Sequence, residues 1–167
     1  PVYDESEPDF DKLNQLINWG KYDSDRLESI RTILRRKVTH HVERSQINKL
    51  KVDLRIYDTI MNKKSGHELG FAEDLYQVTE ILWNSKREEM EELTISAVST
   101  LINNTSTPVL AKVGQSLINE VLKLPLNLQL QILPIAVSRK GWDFHTRYLL
   151  LGHMFPLLLL ENKTEQI

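Results

Sequence analysis

Between Asp25 and Lys64 the chain has no Gly or Pro, and its apolar residues recur at helical spacing. Ile47, Leu50, Leu54, Tyr57 and Met61 step by three, four, three and four residues, which lines one face of a helix at about 3.6 residues per turn. Leu27, Ile30, Leu34, Val38 and Val42 make a second seam upstream. The step from Val42 to Ile47 is five residues and breaks the phase, so residues 24–64 form either one bent helix or a helical hairpin. Ser45 is a candidate N-cap for the second half, and Asp23, Ser24 and Asp25 are candidates for the first.

The same spacing predicts helices along the rest of the chain. Phe10, Leu13, Leu16 and Ile17 give a short amphipathic helix before Gly20. Over Glu68–Trp83, Leu69, Ala72, Leu75, Val78 and Leu82 face inward, with Glu73, Asp74, Gln77 and Glu80 on the polar side. Lys86–Asn103 turns Met90, Leu93, Ala97, Val98, Leu101 and Ile102 inward, and Val109–Leu122 carries Leu110, Val113, Leu117, Ile118 and Val121. Leu126–Arg139 contains Pro134, which kinks it or sets its first turn. Trp142–Phe155 is apolar at Phe144, Tyr148, Leu149, Leu151 and Phe155, and Pro156 introduces a kink or a new helix with Leu157–Leu160. No segment alternates with period two, so no strand is expected.

The fold class is therefore all-α, with about seven to eight helices joined by short connections that favour antiparallel neighbours. That arrangement resembles a HEAT or armadillo-type α-solenoid, with a compact helical bundle as the alternative. The resemblance is architectural, because no motif repeats at a fixed period. Residues 1–9 read as an acidic flexible arm, and 10–167 as one helical domain made of the 24–64 block and an apolar stack over 68–167.

Charge divides the chain more sharply than composition does. Overall it is ordinary, with 41% hydrophobic and 26% charged residues and a net charge of −2. Yet Arg26–Lys64 holds eleven basic residues against four acidic ones, and the acidic excess lies on both sides of it. The absence of cysteine removes disulfides and thiolate chemistry and favours the nucleus or cytoplasm over secretion. The acceptor triplets at Asn103, Asn104 and Asn162 carry little weight for the same reason. No apolar run reaches the ~18 residues that a membrane span needs. With Pro1 in place of an initiator methionine, the chain is expected to be a piece of a longer protein.

The motifs of catalysis and nucleotide binding are missing: there is no GxGxxG, Walker A, GxSxG or HExxH. His40 and His41 point about 100° apart on a helix and cannot share a metal, and no His–Asp dyad is expected. No enzyme, cofactor or metal is expected. Three groups remain as contact residues: a basic face (Arg31, Arg35, Arg36, Lys37, Arg44, Lys49), a mixed patch (Arg139, Lys140, Trp142, Arg147), and the run Leu157, Leu158, Leu159, Leu160. The bland reading of the basic face is that its cations pair with the acidic flanks. The leucine run spreads around most of a helical turn and is expected to leave a leucine exposed, for a second copy or for further sequence. Together these features point to a scaffold or adaptor, part of a larger complex, that binds a peptide or helix of a protein partner. RNA or DNA binding through residues 26–64 is the alternative, and a motif-free helical enzyme the third.

Overall fold

The five-residue step between Val42 and Ile47 is where the chain turns. In the computed structural model, which describes residues 24–62 and 68–164 together with 11, 12, 14, 15 and 18, the basic block is two helices, α1 (Ser24–Glu43) and α2 (Ile47–Asn62). The side chains at 24, 68, 158 and 160–164 lie outside the description, as do the acidic arm, residues 63–67, and Phe10, Leu13, Leu16 and Ile17 of the short helix expected before Gly20. Ser45 sits in the left-handed region at φ 51. Its N–H donates to the Val42 carbonyl at 3.1 Å, and the Gln46 N–H to the His41 carbonyl at 2.9 Å. This pair of bonds is the Schellman ending of a helix. Ser45 thus closes α1 instead of capping α2, and its hydroxyl accepts a hydrogen bond from Arg87 Nη1. The same Arg87 nitrogen donates to the Val42 carbonyl at 2.8 Å, so a residue 45 positions downstream helps to hold the turn.

The chain divides into two compact units, Pro1–Thr105 and Ser106–Ile167. In the first, α1 and α2 are joined by α3 (Glu68–Asn84), a 3₁₀ turn at Glu88–Met90, and α4 (Glu91–Asn104). Helix α2 packs against α1, α3 and α4. That is why Val52, Ile56 and Ile60 are buried alongside Leu50, Leu54, Tyr57 and Met61: three neighbours cover more than one seam. The rings of Phe71 on α3 and Tyr57 meet edge to face, with centroids 6.5 Å apart. All six residues expected to point inward from Lys86–Asn103 are buried.

The second unit holds α5 (Thr107–Val121), α6 (Leu126–Ser138) and α7 (Phe144–Thr164). Pro108 sits in the first turn of α5, where no intrahelical donor is missed. Gln129 Nε2 donates to the carbonyls of Leu122 and Leu124 at 3.0 and 2.7 Å, which ties down the α5–α6 connection. Pro134 and Pro156 both lie inside their helices, so α7 runs on through the leucine run as one element. The described residues form seven α-helices and no strand.

Candidate interaction surfaces

The basic face separates into cations that point in and cations that point out. Asp74 on α3, placed by its spacing on the polar side of that helix, is buried. It is there because Arg31 reaches it from α1 with two parallel hydrogen bonds, Nε to Oδ2 at 2.8 Å and Nη2 to Oδ1 at 3.0 Å. Arg35 Nε adds a charge contact at 3.6 Å, too long for a hydrogen bond. Gly70 makes room for this, since a Cβ there would stand 2.7 Å from the Arg31 guanidinium carbon. The Asp74 hydrogen bond raises the Arg31 pKa above its ordinary value despite partial burial. Arg31 also pairs with Glu28 at 2.9 Å. Arg36, Arg44 and Lys49 are exposed, while Lys37 is half-buried and has a partner of its own.

A second buried pair lies beside the first and corrects the expectation that no His–Asp dyad exists. His41 Nδ1 donates to Asp53 Oδ2 at 2.6 Å, and both residues are buried. The two are 12 residues apart across the α1–α2 turn, a separation no motif encodes. Both residues lie in a packed core, where a buried polar group needs a hydrogen-bonded partner. The Tyr57 hydroxyl is buried with no hydrogen-bond partner among the described residues. Burial, followed by the charges of Asp74 and Asp53, holds it well above the usual phenol range.

An open groove of about 460 Å³ runs between α2 and α4, with Lys51, Arg55 and Asp58 of α2 and Glu92 of α4 among its lining residues, beside Leu54 and Leu93. Asp58 is already occupied by the side-chain amide of Asn104. No histidine lines the groove. Among the described residues no three His, Asp or Glu side chains are placed to hold a metal ion. No described helix is long and apolar enough to cross a membrane.

In the second unit the mixed patch is split as well. Trp142 is buried: its Nε1–H donates to the Ala136 carbonyl at 2.7 Å, and its ring lies on Gly114, where a Cβ would stand 2.7 Å from Cζ3. It closes the C-terminal end of α6 and fills the core, so it does not stand out from the surface beside Lys140 and Arg147, which are exposed. Arg139 is half-buried and has a partner. Asp143 starts α7 by accepting the Thr146 N–H at 2.7 Å, and the Thr146 backbone and side-chain bonds hold its carboxyl below the usual range.

Helix α7 then presents what periodicity did not distinguish. Its inner side is Thr146 and Leu150, both buried. Phe144 (86% exposed), Tyr148 (71%), Leu151 (47%), Phe155 (69%) and Leu159 (61%) all lie open. Stepping by four, three, four and four, they occupy one arc of about 80° at 100° per residue. Of the leucine run, Leu157 is half-buried and Leu159 exposed, while the side chains of Leu158 and Leu160 fall outside the described residues. A contiguous stripe with three aromatic rings is a feature that monomeric surfaces avoid unless it is used. Protein-family models, curated proteins and solved structures contain no match to this chain.

Proposed function

We propose that the chain is a non-catalytic helical interaction module, a scaffold or adaptor subunit of a larger nuclear or cytoplasmic assembly, and that the outer face of α7 is its principal contact surface. The observation that carries this reading is the exposed stripe Phe144, Tyr148, Leu151, Phe155 and Leu159. Aromatic residues in a cluster supply most of the energy at protein contacts. An apolar stripe at three- and four-residue spacing fits a helix laid alongside it. The cations Arg36, Arg44 and Lys49 remain free to steer an acidic partner.

Nucleic-acid binding through α1 and α2 is the weaker reading. Arg31 and Arg35 direct their charge at Asp74, which leaves fewer cations for phosphates than the sequence count gives.

A photo-activated cross-linker placed at Phe155 in cells tests the proposal, with the same group at Arg36 as the reference position. A protein adduct formed at Phe155 and lost when Tyr148 is changed to Asp supports it. The absence of any protein adduct at Phe155 refutes it.

A further inference from the structure

The spacing of the α7 stripe says what kind of surface fits it. Written with the glycine that interrupts it, the series is Phe144, Tyr148, Leu151, Gly152, Phe155, Leu159, with gaps of four, three, one, three and four. The spacing, though not the residue order, reads the same from either end. Laid antiparallel on a copy of itself about its midpoint, it sets Phe144 against Leu159, Tyr148 against Phe155 and Leu151 against Gly152.

Gly152 is the second observation. It is exposed inside a helix, and a Cβ built on it would meet nothing within 4 Å. No packing within the chain therefore calls for a glycine at this position, although glycine weakens a helix interior relative to alanine. Gly152 lies at the edge of the stripe's arc, four residues after Tyr148 and three before Phe155. Midway along the helix, a missing side chain at the margin of the stripe leaves room for a second helix to approach beside Leu151.

We infer that the occupant of this face is the same face of a second copy of the chain, the two α7 helices crossing antiparallel about a two-fold axis at Leu151–Gly152. This inference rests on reading the outer face of α7 as a contact surface. An isologous two-fold contact is the commonest way that identical chains associate, and it needs a self-complementary patch, which a palindromic stripe is. Antiparallel pairing also places the positive end of each helix dipole beside the negative end of the other. The area is adequate. With aromatic side chains of about 150–250 Å² each at the observed exposures, plus two leucines, each copy contributes on the order of 500–600 Å². The two together reach roughly 1,000–1,200 Å², the low end of specific interfaces and suited to a dimer that exchanges with monomer.

Sedimentation velocity on the purified chain, from micromolar to millimolar concentration, tests this. The expected result is a monomer–dimer equilibrium that Phe155→Asp and Gly152→Leu each weaken by at least about tenfold, with helical circular dichroism unchanged. Gly152→Ala, whose methyl group meets open space within the chain, keeps the fold and weakens the dimer less than leucine does. A wild-type chain that stays monomeric throughout overturns the inference, as does association that survives both Phe155→Asp and Gly152→Leu. If the chain is monomeric while the Phe155 cross-linker captures a different protein, the second-copy assignment falls and the contact-surface reading stands. If neither association nor an adduct is found, both fall.

Discussion

Arg31 and Asp74, 43 residues apart, form a two-bond ion pair in which the aspartate side chain is 1% exposed and the arginine side chain 22%. The pair joins α1 to α3, and it turns what the sequence presents as surface charge into part of the first unit's interior. A buried anion held by two arginines is costly to leave half-made, because the surviving charges lose their counterion without regaining water.

Replacing Asp74 by Asn should therefore destabilise the first unit by about 3 kcal/mol. The double change Arg31→Met with Asp74→Leu should recover much of that loss, since an apolar pair of similar volume needs no counterion. Urea denaturation midpoints measure both. A cost below about 1 kcal/mol for Asp74→Asn shows the pair to be a weak surface contact instead.

Tyr57 offers the opposite case, a buried hydroxyl with no hydrogen-bond partner among the described residues. Tyr57→Phe should be neutral or stabilising within about 1 kcal/mol, where removal of a satisfied tyrosine hydroxyl ordinarily costs that much. The phenol is held neutral in the folded chain by burial, with Asp74 and Asp53 adding to the effect. An unfolded tyrosine ionises near pH 10, so the folded pKa lies above the unfolded one and the contribution is intact below about pH 10 and lost as pH rises past it. Stability measured between pH 9 and about 12 should fall more steeply for the wild type than for Tyr57→Phe; parallel curves would contradict this.

The helices were legible in the sequence wherever one face was apolar and the other polar. Met90, Leu93, Ala97, Val98, Leu101 and Ile102 mark the buried side of α4 and its approach without ambiguity. The division of the basic block was legible only as a phase break, because Ser45 ends α1 in a conformation usually taken by glycine, with support from the distant Arg87. Asp74 and Asp53 were not legible as interior residues. Their partners come from another helix, and a carboxylate looks like surface until that partner is known. For α7 the difficulty was different: apolar residues on opposite sides of one helix cancel the periodic signal, so nothing in the pattern says which side the fold covers.

Trp142, grouped by sequence with the mixed patch, could be read there either as core or as a contact residue, and it is buried. Its ring occupies the space that a Cβ on Gly114 would take, and its Nε1–H ends α6 at Ala136. Gly114→Ala should thus cost about 1–3 kcal/mol through overpacking, although alanine is the better helix former. The measurement is thermal unfolding of the variant alone and combined with Trp142→Phe, whose smaller ring should relieve most of the added loss. An unchanged or raised melting temperature for Gly114→Ala would show that the ring does not rest on that position.

The most direct test of α7 as a self-complementary surface uses the absence of cysteine from the chain. A single Leu151→Cys substitution places one thiol beside the proposed two-fold axis without filling the space at Gly152, and Arg36→Cys places one on the exposed side of α1. Treatment with a short bismaleimide at equal concentration should convert Leu151→Cys to a covalent dimer and leave Arg36→Cys monomeric. A Leu151→Cys chain that stays monomeric, or that cross-links no better than Arg36→Cys, would contradict the account.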